Sequence, residues 1–156
     1  MKIELIVIGK TNFSFIEEGI IEYKSRINHF INFEIIVLPD VKQKLPIAKL
    51  KEKESEVLLN YFQSKDMELY LLDDKGKEYT SIDFSLIIQD KVNIVRKDLA
   101  FIVGGAYGFS QVVYKTIPNK ISFSRFTFSH QLIRLIFVEQ LYRAFTIIKN
   151  LPYHHE

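Results

Sequence analysis

The sequence contains no cysteine and no tryptophan, and it has only six glycines and four prolines among 156 residues. The absence of cysteine excludes disulfides, thiol nucleophiles, cysteine-based zinc sites and iron–sulfur clusters. No stretch approaches the run of about 18 apolar residues that a membrane-spanning helix needs. Glu4 stands where a signal peptide requires an apolar run. We therefore expect a cytosolic protein.

Hydrophobic residues make up 47% of the chain and charged residues 26%, which is typical of an ordinary globular protein. A domain of this length buries roughly 70% of the surface that its unfolded chain exposes, so it needs no metal or disulfide for stability. No linker, repeat or low-complexity stretch divides the sequence. We expect a single domain that spans residues 1–156.

The net charge of +2 averages two unlike parts of the chain. Residues 1–98 carry 15 basic and 17 acidic side chains, whereas residues 99–156 carry six basic and two acidic ones. The second part also contains eleven of the 21 aromatic residues. Basic groups among aromatics can bind nucleic acid through phosphate contacts and stacking, although the same aromatics could simply form core.

Short β-rich runs alternate with helical patterns along the chain. Strands are predicted over residues 2–8, 33–38, 68–72, 98–103 and 120–124. Helices are predicted from a cap at Asn12 or Ser14 to residue 28, over 48–63, from a cap at Ser81 or Asp83 to 95, after a cap at Ser110, and over 130–149. This alternation predicts an α/β fold with a mainly parallel sheet and helices on both faces.

The last predicted helix is apolar around almost its whole circumference. Such a helix must be buried on several sides. We therefore expect it to face a second subunit as well as its own sheet, which predicts a homodimer. The helix that follows Pro46 is different, because lysines and glutamates alternate along it, which is most simply a solvated face with paired charges.

Three strand ends have unusual sequences. They are Leu72 with the turn at Gly76, the glycine loop 104–108, and the serine- and phenylalanine-rich segment 123–129 with His130 directly after it. Ligands of open α/β sheets bind at the carboxyl ends of strands. The glycine loop matches neither the dinucleotide fingerprint nor a P-loop, and a tight strand-to-helix turn would explain it equally well.

The remaining polar groups give weaker signals. Glu139 and Arg143 lie one helical turn apart and could form an internal ion pair. His154 and His155 are adjacent and have no third ligand at a suitable spacing, so no metal site is expected. No serine, histidine and aspartate have the context of a hydrolase triad.

Four motifs together resemble the ribosomal RNA large-subunit methyltransferase H family, a group of small SPOUT-class enzymes. They are Ile102-Val103-Gly104-Gly105-Ala106-Tyr107-Gly108, Ser122-Phe123-Ser124-Arg125-Phe126-Thr127-Phe128-Ser129-His130, Glu139-Gln140-Leu141-Tyr142-Arg143-Ala144-Phe145 and Pro152-Tyr153-His154. Each motif alone is modest, but their order and spacing are specific. The likeness covers the whole chain.

The resemblance implies methylation of N3 of a pseudouridine in 23S ribosomal RNA, with S-adenosylmethionine as the cofactor. It also implies a homodimer and a C-terminal trefoil knot that holds the cofactor, which is an exception to the rule that chains avoid knots. The family's cofactor contacts fall on Leu72, Gly104, Phe123, Ser124, Arg125, Phe126, Thr127 and Phe128.

The implied reaction is in-line attack by a nitrogen on the methyl group of a sulfonium, which requires alignment and removal of the N3 proton. As a hypothesis, His130, Tyr153 and His154 orient the base and assist proton loss, while Arg134 and Arg143 hold RNA phosphate or structure the site. Two positions depart from the family pattern. Tyr107 stands where relatives often have a smaller or polar residue, and His155 stands where many have a permanent positive charge.

The modest net charge fits poorly with tight binding of bare RNA, so the expected substrate is an assembled ribosome or subunit. Two other classes of protein stay open at this point. A non-catalytic RNA-binding module would keep the basic, aromatic C-terminal part and need no cofactor cavity. A nucleotide-binding oxidoreductase would use the glycine loop for pyrophosphate, but it would lack the fingerprint and an acidic partner for the ribose.

Overall fold

Five parallel strands form one sheet at the centre of the molecule, in the order β2-β1-β4-β3-β5. A computed structural model describes residues 1–155. The strands are β1 (Lys2–Ile8), β2 (Asn32–Leu38), β3 (Met67–Glu78), β4 (Asp98–Val103) and β5 (Lys120–Ser122). The helices are α1 (Ser14–Ile27), α2 (Ile47–Phe62), α3 (Ser81–Asp90), α4 (Gln111–Thr116) and α5 (Leu132–Ile148).

The sheet is covered on both faces. One core packs β1 and β4 side chains such as Leu5 and Phe101 against α1, α3 and α5. The other packs the alternate side chains, such as Ile6 and Ile102, against α2 and α4. Because a strand directs successive side chains to opposite faces, strands that are apolar throughout need a helical layer on each side. The predicted α/β class, the parallel pairing and the helices on both faces are confirmed.

Helix α5 lies between α1 and α3 on the same face of the sheet. Its approach to α1 is close, since a Cβ atom added at Gly19 would lie 2.7 Å from Cδ1 of Leu135. From Ile133 to Ile148 every residue of α5 is at least half-buried within the single chain. The two flanking helices therefore account for much of its apolar circumference, and the homodimer stays a prediction.

Strand β3 is longer than the sequence predicts. The segment Asp73–Lys77 has the composition of a turn, yet the strand continues to Glu78. After a bulge, Lys77 and Glu78 pair with Ile121 and Ser122 of β5. Gly76 permits this second contact, because a Cβ atom at this position would lie 2.6 Å from the carbonyl carbon of Ile121. The predicted turn is wrong because a partner distant in sequence extends the strand.

Several predicted ends and caps also differ. Phe13, not Asn12 or Ser14, is the N-cap of α1 and provides no side-chain cap. Thr80 caps α3 in a capping box with Asp83 as its third residue. The α-helical part of that segment ends at Asp90, and a π-helical turn continues over Lys91–Val95. The predicted cap at Ser110 is confirmed, since its hydroxyl accepts a hydrogen bond from the amide of Val113.

At the C-terminal end, β5 stops at Ser122 and α5 starts at Leu132, so His130 lies in the connecting loop. No helix among residues 1–155 has the length and apolar content to cross a membrane. The trefoil knot implied by the resemblance stays a prediction, because strand order and pairing do not define a knot.

Candidate functional site

A cavity of about 650 Å³ opens at the carboxyl edge of the sheet, between the irregular part of β3 after Leu72 and the loops that follow β4 and β5. Such edges are the usual ligand sites of open α/β sheets. Apolar groups at the strand ends and polar groups from the loops share its wall, as in sites that bind a ligand with an aromatic base and a polar tail. Apolar strand residues that line it are Leu72 of β3, Val103 of β4 and Ile121 of β5.

Seven of the eight residues predicted to contact a cofactor line this cavity. They are Leu72, Gly104, Phe123, Ser124, Phe126, Thr127 and Phe128. Arg125 does not line it: its side chain is 91% exposed and lies 3.5 Å from Glu78. The three strand ends that the sequence singled out therefore meet at one place, as parallel strands require.

The glycine loop after β4 forms one wall. Gly108 has a φ of +74°, and its amide donates to the carbonyl of Gly105 at 3.1 Å, which closes a tight turn. Added Cβ atoms would crowd this turn: at Gly104 one would lie 3.2 Å from the ring of Phe109, and at Gly105 one would lie 2.5 Å from the carboxylate of Glu54. The backbone of this turn therefore packs directly against Phe109 and Glu54, with no room for side chains at Gly104 and Gly105.

Hydroxyl groups shape the segment 123–129. The hydroxyl of Ser122 donates to the carbonyl of Ser124 at 2.8 Å, and the Ser124 hydroxyl accepts from the amide of Phe126 at 2.9 Å. Phe126 is 81% exposed at the cavity rim. An exposed aromatic ring beside a polar loop provides a surface on which a ligand base can stack.

Two carboxylates in the wall were missed by the sequence prediction. Asp73 accepts a hydrogen bond from the hydroxyl of Tyr114 at 2.5 Å, and Asp74 accepts one from Thr127 at 3.4 Å. Burial raises the pKa of Tyr114, and Asp73 raises it further, so the phenol stays protonated as a donor. The sequence prediction treated residues 73–77 as a turn because of their composition. The pairing of β3 with β5 is what places both carboxylates at the cavity.

Glu54 lies behind the glycine loop and was also missed. It lines a small crevice that shares Gly104, Gly105 and Gly108 with the main cavity. Burial raises the pKa of Glu54, and the nearby carboxylate of Asp40 raises it further. In the sequence this residue is one member of an alternating run of lysines and glutamates.

His130 lines the cavity, whereas Arg134 lies behind it. Burial lowers the pKa of His130, and the guanidinium of Arg134 lowers it further, so the imidazole is neutral at pH 7. Tyr107, the departure in the glycine loop, also lines the cavity and is 54% exposed.

Arg134 is 1% exposed, and its guanidinium donates hydrogen bonds to groups of the protein itself. It donates to the carbonyls of Ile8 and Gly9 at 2.9 Å each, to the Thr11 hydroxyl at 3.2 Å and to the carbonyl of His130 at 3.0 Å. Burial lowers the pKa of Arg134 to about 10, which still leaves it charged at pH 7. Of the two predicted roles, this geometry favours structuring the site over holding phosphate.

The other three predicted catalytic residues form a separate group, the C-terminal cluster, defined as Tyr23, Glu139, Arg143, Tyr153 and His154. Oε1 of Glu139 accepts from the hydroxyl of Tyr153 at 3.0 Å and from Nη2 of Arg143 at 2.5 Å. Arg143 Nη1 lies 3.3 Å from Nδ1 of His154. Burial and the hydroxyl of Tyr23 raise the pKa of Tyr153.

The C-terminal cluster and the cavity do not meet within one chain, because no member of the cluster lines the cavity. The predicted ion pair of Glu139 with Arg143 is present and also holds the C-terminal segment on α5. His155, the second departure from the family pattern, is exposed. The predicted catalytic residues are thus divided between His130 at the cavity, Arg134 behind it and the cluster.

Comparison with known proteins gives matches over nearly the whole chain. The family model described as predicted SPOUT methyltransferase matches residues 1–154. A protein of Parabacteroides distasonis named ribosomal RNA large subunit methyltransferase H is 56% identical, and the alignment covers all of both chains. The protein of that name from Christiangramia forsetii is 48% identical over 99% of each chain.

Solved structures with low sequence identity have the same fold. A methylase family protein from Haemophilus influenzae superposes with a TM-score of 0.54 at 11% identity, over 99% of this chain and 70% of the other. A Legionella pneumophila structure, described as a methyltransferase with the cofactor SAM bound, gives a TM-score of 0.50 at 15% identity, over 90% of this chain and 65% of the other.

Proposed function

The chain belongs to the SPOUT methyltransferase family, and we propose that it transfers a methyl group from S-adenosylmethionine to N3 of a pseudouridine in 23S ribosomal RNA. The names of its full-length relatives support the choice of large-subunit ribosomal RNA. The observation that carries the proposal is the single cavity in which seven of the eight expected cofactor contacts meet.

The residues of the cavity fit this cofactor. Leu72, Val103 and Ile121 offer apolar surface for an adenine ring, and the loop after β5 adds hydroxyl and backbone groups. The carboxylates of Asp73 and Asp74 suit a ligand that carries an ammonium and a sulfonium, since opposite charges attract strongly where water is partly excluded. When bound, S-adenosylmethionine supplies an electrophilic methyl group.

His130 is the protein group best suited to assist the acceptor base from within this chain. Its imidazole lines the cavity and is neutral at pH 7, so one ring nitrogen is free to accept a proton or a hydrogen bond. A neutral imide nitrogen is a poor nucleophile, and a base near it raises the rate as its proton leaves. Arg134 positions His130 by donating a hydrogen bond from Nε to the carbonyl oxygen of His130 at 3.0 Å.

Tyr153, His154 and Arg143 serve the reaction, in this proposal, from a second copy of the chain. The division of the predicted residues between the cavity and the C-terminal cluster supports this arrangement, because a homodimer would bring one copy's cluster to the other copy's cavity. Ribosomal RNA as substrate further implies that the protein works in the cytoplasm, on assembled ribosomes or subunits.

Calorimetry separates this function from the two alternative classes. We expect S-adenosylmethionine to bind once per chain and NAD not to bind. Gly104→Val should abolish cofactor binding, because a Cβ atom alone already lies 3.2 Å from the ring of Phe109. Binding of NAD would indicate an oxidoreductase, and binding of neither molecule would leave only the RNA-binding module.

A further inference from the structure

Five of the sixteen lysines of the chain lie between residues 42 and 53, where Glu52 is the single acidic residue. Residues 41–53 are called the lysine segment below. It has a net charge of +4, whereas the rest of residues 1–98 has a net charge of −6. The first part of the chain is therefore acidic except for one concentrated basic stretch, which the cofactor site and the proposed reaction do not explain.

In the structure this stretch is largely exposed, as the sequence predicts for a solvated face, but most of its lysines are not in the charge pairs that the sequence suggests. Among residues 1–155 the side chains of Lys42, Lys44 and Lys51 have no ion-pair or hydrogen-bond partner. Lys49 lies 3.4 Å from Glu52 in an exposed pair, and such pairs contribute little. Lys53 donates to the neutral side chain of Gln43 at 2.9 Å. Positive charge is thus left available to a partner.

The segment lies at the same edge of the sheet as the cavity. It connects the carboxyl end of β2 to the start of α2, and all the strands are parallel. Strands are about 4.8 Å apart, so β2 lies about 10 Å from β4, which carries the glycine loop. Lys51 lines the cavity itself, and Lys10, which follows β1, is also exposed.

Lysines concentrated at the start of α2 lower the stability of the folded protein. The first turn of α2 contains no acidic residue, and its N-terminus has no side-chain cap. Carboxylates stabilise the first turn of a helix, whereas lysines there oppose the helix dipole and repel one another. Asp40 and Glu54, the carboxylates that flank the segment in the sequence, form no ion pair with its lysines within residues 1–155. An anionic partner would offset the repulsion.

We propose that the lysine segment binds the phosphate backbone of the ribosomal RNA beside the target nucleotide. This inference rests on the proposed function, and it adds the part of the chain that holds the substrate outside the cavity. RNA phosphates fit the arrangement because they present closely spaced negative charges to flexible, unpaired ammonium groups. Basic side chains that contact phosphate position the substrate and read no sequence.

Binding of large ribosomal subunits from cells that lack the enzyme tests the inference. The variant K42Q/K44Q removes two exposed charges that do not line the cavity. The matched control K24Q/K65Q removes two lysines at the opposite edge of the sheet, at the end of α1 and directly before β3. Cosedimentation over a range of salt concentrations gives the affinity and its salt dependence, and thermal unfolding shows that both variants fold.

The test variant should bind subunits roughly tenfold more weakly at 0.1 M salt, and its log–log salt slope should be shallower by about 2, one for each lost phosphate contact. The control should match the wild type in both. Affinity for S-adenosylmethionine should be equal in all three proteins. Equal affinities and slopes in both variants, or weaker binding with an unchanged slope, would overturn the inference. The binding measurement does not depend on methyl transfer. Failure of the wild type to transfer methyl groups would therefore overturn the proposed function and not this inference.

Discussion

Nη1 of Arg134 donates a 2.9 Å hydrogen bond to the carbonyl oxygen of Gly9, which joins the first turn of the last helix to the end of the first strand. The same guanidinium also donates to the carbonyl of Ile8 and to Thr11. One buried side chain thus fixes the loop after β1 beside the cavity, and it does so from the element that follows His130.

Arg134→Met should destabilise the fold strongly. The substitution leaves the buried carbonyls of Ile8 and Gly9 without donors, and each unsatisfied buried group costs about 1–3 kcal/mol. We expect the free energy of unfolding, measured in urea, to fall by about 3 kcal/mol. The salt slope of ribosome binding should not change, since Arg134 is not exposed to phosphate. A loss of slope with unchanged stability would assign it to RNA instead.

Gly76→Ala should destabilise the protein by about 1–3 kcal/mol, as expected for overpacking. Its Cβ atom would lie within 2.7 Å of the Ile121 backbone, so β3 and β5 must separate. Cofactor affinity should fall as well, because the cavity lies between these strands. Gly19→Ala is the control: its contact is the flexible side chain of Leu135, and alanine favours the helix. Equal effects of the two substitutions would contradict this account.

Turnover should fall in acid with an apparent pKa below the ordinary value for histidine. Burial and Arg134 favour neutral His130 in the folded protein, so the unfolded chain takes up a proton at a higher pH than the folded one. Lowering the pH below the unfolded pKa therefore reduces stability until the folded pKa is passed. His130→Gln should remove the acid limb of kcat, whereas His29→Gln, in the exposed turn after α1, should leave it unchanged. A limb that persists in His130→Gln would belong to another group.

His154→Ala should reduce kcat by about 10²-fold or more, the range typical of general acid–base groups. Affinity for S-adenosylmethionine should stay nearly constant, because His154 does not line the cavity. The neighbouring exposed residue provides the control, and His155→Ala should keep kcat within about twofold at low salt. Unchanged turnover in His154→Ala would remove it from the mechanism.

Mixed dimers test whether the C-terminal cluster acts across subunits. Gly104→Val is expected to lose cofactor binding and keep the cluster, whereas His154→Ala keeps the cavity but lacks the histidine. Each homodimer should be nearly inactive. Unfolding and refolding the two together should restore about one quarter of the wild-type activity, because half of the dimers are mixed and each contains one complete site. Absence of recovery would mean that both groups serve the same chain.

Strand β4 could be predicted because it is apolar from Leu99 to Val103, which is typical of a central strand with helices on both faces, and β1 could be predicted from its β-rich run that ends at Gly9. The extension of β3 could not, since Asp73, Asp74 and Gly76 have the composition of a turn and only pairing with β5 makes them strand. The position of the cavity could be predicted from the three segments that the sequence singled out. Most of the predicted residues line its wall, but contacts between distant segments, such as that of Glu54 with Gly105, could not be predicted.

Arg134 shows the same limit at the level of a single residue. From the sequence, the arginine one turn after His130 is predicted either to hold RNA phosphate or to structure the site. Its burial depends on carbonyls at the end of β1, more than 120 residues away, which only the fold brings to it. The positions of Tyr153 and His154 likewise depend on the ion pair of Glu139 with Arg143, whose partners the sequence predicts correctly but whose contact with the C-terminal segment it does not.

Methyl transfer to ribosomes from cells that lack the enzyme, followed by mapping of the modified base, tests the central claim most directly. With labelled S-adenosylmethionine, the wild-type protein should add one methyl group per ribosome, at N3 of a pseudouridine in 23S ribosomal RNA, and Gly104→Val should add none. Label in another RNA, at another atom of the base, or in no RNA although the cofactor binds, would contradict the account.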